Sequence, residues 1–345
     1  KQQQEFAYRR LKFEMAEWMG MILLCIFLYA YLIVASIDFG AGLFLFFDKI
    51  TSKPNVLNRL ISRYLSPVWE IINVLFLFML AGIVGSYPDT SYYYGSALLV
   101  PAAIALLLFV IRGTFYALDN YGAKGSPVYS FIFGITRLMI PVVLSTAMTI
   151  SEGEYISEQG KGIHLLLGKL FGSFYSWSVV ILAVVSVFYI STSFFTYYAA
   201  KAKNEEARKM FRTYALFWSA PTLLASVLVF IALENHNFTH FENMVDQSWW
   251  FLLSLLSFLA AIGLIFWERH YGAAFFCVML QFCFAFFGYG ATHLPYILYP
   301  YIKINGMSTL PHMIQVLMVV LILGLALLIP VLTLRMRLFY SKRNV

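Results

Sequence analysis

Four ionisable side chains stand inside or at the edge of long apolar runs: Asp38, Glu70, Arg112 and Arg137. A charge at bilayer depth costs about 2.5 to 3.5 kcal/mol on insertion scales, so charges kept there mark function or pairing. Asp38 is the most informative, because a desolvated carboxyl changes protonation at low cost, which is what a proton relay requires. At about 1.5 Å per helical residue, Asp38 and Arg137 lie about 14 Å from the nearer surface, with Arg112 and Glu70 shallower on the same side. Ser36 and Asn73 neighbour the two acids and can hold bridging waters. Asp38, Glu70, Ser36 and Asn73 are therefore candidate proton-pathway residues, and Arg112 and Arg137 candidate buried charge partners. A reading without any relay is also open: Asp38 and Arg137 neutralise one another, Arg112 snorkels, and Glu70 sits among headgroups.

The elements that must position these groups follow from composition. Of 345 residues, 61% are hydrophobic and only 12% charged, with a mean hydropathy of +0.76. Such a chain is an all-α integral membrane protein, since its apolar stretches are continuous rather than alternating and only helices satisfy their own backbone over such runs. About nine transmembrane helices are predicted: 18–47, 67–87, 95–117, 128–150, 171–199, 213–233, 248–267, 271–291 and 312–334. Spacing suggests two four-helix bundles, 15–150 and 171–291, plus a peripheral ninth helix and basic tail, 312–345. Residues 1–14 read as an N-terminal extension or leader remnant.

Lys and Arg set the orientation. The connections after spans 1, 3, 5 and 7 and the C-terminal tail hold 15 of them, including KAKNEEARKMFR; the opposite side holds seven. The N-terminus is therefore expected outside and the C-terminus in the cytoplasm. The basic balance is a topology signal beside anionic lipid, and no nucleic-acid partner is expected.

Cofactor chemistry on the chain is argued against by residue placement. A transmembrane haem needs an axial ligand from mid-helix, yet His164, His236, His240, His270 and His293 fall in connections or at their edges, and His312 opens the last span. The three cysteines, Cys25, Cys277 and Cys283, sit in apolar runs without CxxC or Cys/His grouping, so neither a disulfide framework nor a metal site is expected. The second bundle shows no buried acid in this reading; Gln281 is its most notable embedded polar group, and scaffolding is its expected role.

Three stretches resemble a known family, subunit II of the cytochrome bd-type quinol oxidases. Ser36-Ile37-Asp38-Phe39-Gly40-Ala41-Gly42 resembles its acidic-aromatic-glycine signature. Ser66-Pro67-Val68-Trp69-Glu70 is similar to its Pro-Val-Trp-acid motif, and Arg112-Gly113 to its Arg-Gly pair. Gly40, Gly42, Pro67, Trp69 and Gly113 are thus motif positions. The resemblance implies a terminal oxidase of the bacterial cytoplasmic membrane that oxidises membrane quinol and reduces dioxygen to water. It implies two b-type haems and one d-type haem in a haem-bearing subunit I, with a small single-span third subunit as a further partner. This chain would be the haem-free subunit, supporting subunit I and offering routes for protons or dioxygen.

An alternative from another class is a secondary transporter with a midplane site at Asp38. Finally, Gly40, Gly42, Gly82 and Gly85 could admit close approach of the partner's helices, which places the expected interface on the first bundle.

Overall fold

The computed structural model describes residues 2–50, 72–85, 88–121, 127–159, 162–303 and isolated positions between 316 and 330. The helices among them are α1 (Gln2–Ile50), α2 (Ile72–Gly85), α3 (Pro88–Ala97), α4 (Leu99–Tyr121), α5 (Pro127–Ser151), α6 (Leu167–Gly172), α7 (Phe174–Lys201), α8 (Glu205–His236), α9 (Phe238–Asp246), α10 (Trp249–Phe266) and α11 (Tyr271–His293). Six stretches among the described residues are long and apolar enough to cross a membrane; they lie in α1, α5, α7, α8, α10 and α11. A seventh arises if α3 and α4 count as one broken span. Glu70, Pro67 and Trp69 lie outside the described residues, as does most of the predicted span 312–334.

α1 is the axis on which the site is built. It is apolar from Trp18 to Phe44, runs through residues 2–14 without a break, and packs on α5, α7 and α11. At about 1.5 Å per residue that apolar stretch exceeds a bilayer core of about 30 Å. Its buried residues join two clusters, one with Ile72 and Leu75 of α2 and Ile140 of α5, the other with Tyr189, Phe195 and Phe211 of α7 and α8. The outward faces carry large apolar side chains such as Leu77, Leu106 and Leu224, which suits contact with lipid rather than water.

Several sequence expectations are corrected. The span predicted at 95–117 is not one straight helix: α3 and α4 meet at a 73° bend. The span predicted from 213 begins at Glu205, because Asn204 Oδ1 accepts from the Ala207 N–H at 3.1 Å and Glu205 and Glu206 occupy the first turn, where acids complement the helix dipole. The basic segment there is folded as helix, with Arg212 Nε donating to the Ile265 carbonyl at 2.9 Å. Between α5 and α6, where no element was predicted, β1 (Ile156–Gln159) and β2 (Gly162–Leu165) pair antiparallel, Ile156 opposite Leu165. A second small hairpin, β3 (Tyr296–Leu298) with β4 (Ile302–Lys303), is tied to the end of α5 by Tyr299 N–H donating to the Ser151 carbonyl at 2.9 Å. The described residues are thus mostly helical, with two β-hairpins among them.

Three of the four glycines predicted to receive a partner's helices, Gly40, Gly42 and Gly82, are used inside the chain. A Cβ built at Gly40 would overlap the Ser191 side chain of α7, one at Gly42 the Arg137 side chain of α5, and one at Gly82 the Leu24 side chain of α1. Close helix approach is what they provide, but the neighbour is this chain's own structure.

Candidate functional site

The structure brings Asp38, Arg112 and Arg137 into one buried centre between α1, α4 and α5. Asp38 is 0% exposed, Arg112 1% and Arg137 2%. Arg112 Nη2 donates to Asp38 Oδ2. Arg137 Nη1 donates to the Asp38 backbone carbonyl at 2.6 Å and stands 3.6 Å from Oδ1. The Arg112 guanidinium also lies over the Phe39 ring, 5.5 Å from its centroid, a cation–π contact. Arg112 therefore does not snorkel, contrary to one sequence expectation: its charge is spent on Asp38 in the interior. Gly42 makes this possible, because one helical turn beyond Asp38 any side chain would occupy the volume of Arg137.

One carboxylate between two guanidiniums leaves a net positive charge among the described residues. Asp38 Oδ1 and Arg112 Nη1 are buried and lack hydrogen-bond partners among those residues, so the centre holds spare donor and acceptor capacity. Ser36 lies two residues from Asp38, with its hydroxyl donating to the Leu32 carbonyl at 2.7 Å. Asn73 is half-buried on α2, beside Ile72, which packs in the same cluster as Phe39. Tyr31, two turns before Asp38, buries a hydroxyl that likewise lacks a partner among the described residues. At Gly113 an added Cβ would meet open space, so packing does not demand the glycine.

A second polar cluster lies where α5 ends, and sequence reasoning missed it. Glu152, 1% exposed, follows α5 directly. Its Oε1 lies 2.9 Å from His240 Nδ1 and 3.4 Å from His293 Nδ1, and accepts from the Tyr289 hydroxyl. Asn237 Nδ2 donates to Oε2 at 2.9 Å, while Asn237 Oδ1 caps α9 by accepting from the His240 N–H at 3.2 Å. Burial pushes the Glu152 carboxyl up; the His240 hydrogen bond, the His293 and His240 charges and the Tyr289 hydroxyl together outweigh it and hold the carboxyl below its usual range. Residues 171–291 themselves contribute no buried acid, but Glu152 reaches α9 and α11 from the end of α5 and supplies one to them. The available signal was Asn237 and His240 in a connection free of Lys and Arg, with Glu152 at a helix end; nothing in their spacing joins them. Gln281, the residue singled out instead, is 8% exposed, and its backbone carbonyl accepts from Ser254 at 2.9 Å.

Comparison with known proteins gives one consistent result. Residues 16–339 match the family described as cytochrome bd terminal oxidase subunit II. The chain is 26% identical over 314 residues to a Bacillus subtilis (strain 168) protein named "Putative cytochrome bd menaquinol oxidase subunit II", covering 88% of this chain and 90% of that one. It is also similar to a chain of the solved bd oxidase from Geobacillus thermodenitrificans, with TM-score 0.82 and 47% identity, covering 94% of this chain and 98% of that one. None of these supports the secondary-transporter alternative.

Proposed function

Because the chain belongs to the cytochrome bd terminal oxidase subunit II family, and is thus a membrane subunit of a respiratory quinol oxidase with a subunit I as partner, we propose that it is the haem-free member and a proton route. In this reading electrons pass from membrane quinol to dioxygen on two b-type haems and one d-type haem in subunit I. The quinol is of the menaquinol class, by similarity to the Bacillus subtilis relative. This chain packs beside subunit I with its N-terminus outside and its C-terminus in the cytoplasm, and a small single-span third subunit joins them.

The observation that carries the proton role is the buried Asp38 centre with its unmet hydrogen-bonding capacity. Asp38 Oδ1 can accept from a water, and Arg112 Nη1 can donate to one. Glu70 provides the entrance near the cytoplasmic surface, with Ser36 and Asn73 holding bridging waters between the acids. The Asp38 carboxyl, placed between the two guanidiniums, is the group to which a neighbouring water delivers the proton. Dioxygen can enter along the apolar interior. The absence of a haem role for this chain is supported by its described histidines, which stand at helix ends or in connections and engage protein partners such as Glu152 and Thr292.

The test is to express the chain alone and with its subunit I. The complex is expected to carry the full haem spectrum and oxidise menaquinol, and the chain alone to insert without haem absorption. A stoichiometric haem spectrum from the chain alone would overturn the haem-free assignment.

A further inference from the structure

The Glu152 cluster is separated from Asp38 by about 15 residues of α5, counted from Arg137, or roughly 22 Å, and plays no part in the proposed proton route. We propose that Glu152, His240 and His293 bind one divalent transition-metal ion of the zinc class.

Thr292 Oγ1 lies 2.9 Å from the Gly288 carbonyl and 3.0 Å from the Tyr289 carbonyl, so its single proton is directed into its own helix. With the Thr292 proton so placed, the 3.0 Å contact between Thr292 Oγ1 and His240 Nε2 has the imidazole as donor. In neutral His240 that leaves a lone pair on Nδ1, aimed at Glu152 Oε1 only 2.9 Å away. Lone pair against carboxylate is repulsive, and a cation between them removes the repulsion. His293 Nδ1 converges on the same oxygen at 3.4 Å, and the three ligand atoms all lie within 4.8 Å of one another. Ligands at about 2.0–2.2 Å around a tetrahedral zinc stand roughly 3.3–3.5 Å apart, so the two contacts to Glu152 Oε1 need only a few tenths of an ångström and the widest separation closes by about 1 Å of side-chain rotation.

The surroundings have the form that metal sites use. His240 donates its second ring nitrogen to Thr292, which fixes its tautomer and ring orientation. The second carboxylate oxygen of Glu152 is held by Asn237 Nδ2. The His293 ring stacks on Tyr289 at 7°, and its buried Nε2 has no hydrogen-bond partner among the described residues, so the ring is placed by its Nδ1 side. Two imidazoles and one carboxylate favour zinc-class ions over calcium or magnesium, which prefer all-oxygen shells. The Tyr289 hydroxyl or a water fills the fourth position. A proton shared between imidazole and carboxylate is the competing occupant.

Metal content of the assembled complex, purified without chelators or a metal-affinity tag, separates the two. We expect about one zinc per chain, with an X-ray absorption shell of N/O ligands including imidazoles at about 2.0–2.1 Å and no sulfur. Chelation should remove it and added Zn2+ restore it. His293→Gln should abolish stoichiometric binding with haem content unchanged. Thr292→Val, which removes only the group orienting His240, should weaken Zn2+ affinity roughly 10- to 100-fold. Substoichiometric metal in the wild type with no rebinding by the assembled complex would overturn the proposal in favour of the shared proton. Undiminished zinc in an assembled His293→Gln complex would overturn it in favour of a site elsewhere.

Discussion

Replacing Asp38 by asparagine tests whether the buried centre is held by charge balance. In the wild type one carboxylate faces two buried guanidiniums, Arg112 through Oδ2 and Arg137 at 3.6 Å from Oδ1. Asparagine keeps the backbone carbonyl that receives Arg137 Nη1 and retains a side-chain oxygen for Arg112, so shape and hydrogen bonds survive. What is lost is the only negative charge among the described members of the centre. Orphaning a buried charge costs about 3–5 kcal/mol, a large part of a typical margin of about 5–15 kcal/mol. Arg112→Gln should cost less, about 1–3 kcal/mol, because it leaves Asp38 and Arg137 as a neutral pair and removes one charge-assisted hydrogen bond. The double variant restores the wild-type net charge and should be more stable than the sum of the singles predicts, by about 1–3 kcal/mol. Thermal unfolding of the detergent-solubilised complex gives the three differences, and haem content and quinol turnover on the same preparations separate stability from proton transfer. If Asp38→Asn is as stable as wild type while Arg112→Gln fails to assemble, the charge-balance reasoning is wrong. Full turnover in a fully assembled Asp38→Asn enzyme would sink the relay role.

Two further outcomes follow from the packing and the titrating groups. Gly42→Ala should destabilise the complex by about 1–3 kcal/mol, because its Cβ must displace the Arg137 side chain; unchanged melting would show that Arg137 has another home. Glu152 is ionised in the fold with its carboxyl held below the usual range, so it contributes stability that is present above about pH 4.5 and lost as pH falls through the lower folded value. In the metal-free complex the stability gap between wild type and Glu152→Gln should therefore close as pH falls below about 4.5. A gap that instead widened below that pH would reverse the sign of the argument.

Some of this protein follows from sequence because it depends on local chemistry alone. Continuous apolar runs such as Phe174–Lys201 and Tyr271–His293 must be helices, since each saturates its own backbone without help from distant residues. Asp38, Arg112 and Arg137 are conspicuous for the same reason: a charge in an apolar run is visible one residue at a time, and its cost does not depend on knowing the fold. Which of them meet is a different matter. Arg112 could have reached for headgroups along its own helix, and only the placement of α4 against α1, with Gly42 leaving room for Arg137, directs both guanidiniums to Asp38. The bend between α3 and α4 is likewise tertiary, because their apolar residues read as continuous with a single span. The Glu152 cluster was the least legible part. Its members come from positions 152, 237, 240, 289, 292 and 293, each unremarkable at a helix end, where polar residues are cheap. They become a site only because the ends of α5, α9 and α11 are brought together, a result of helix packing over separations of more than 80 residues that no local pattern encodes.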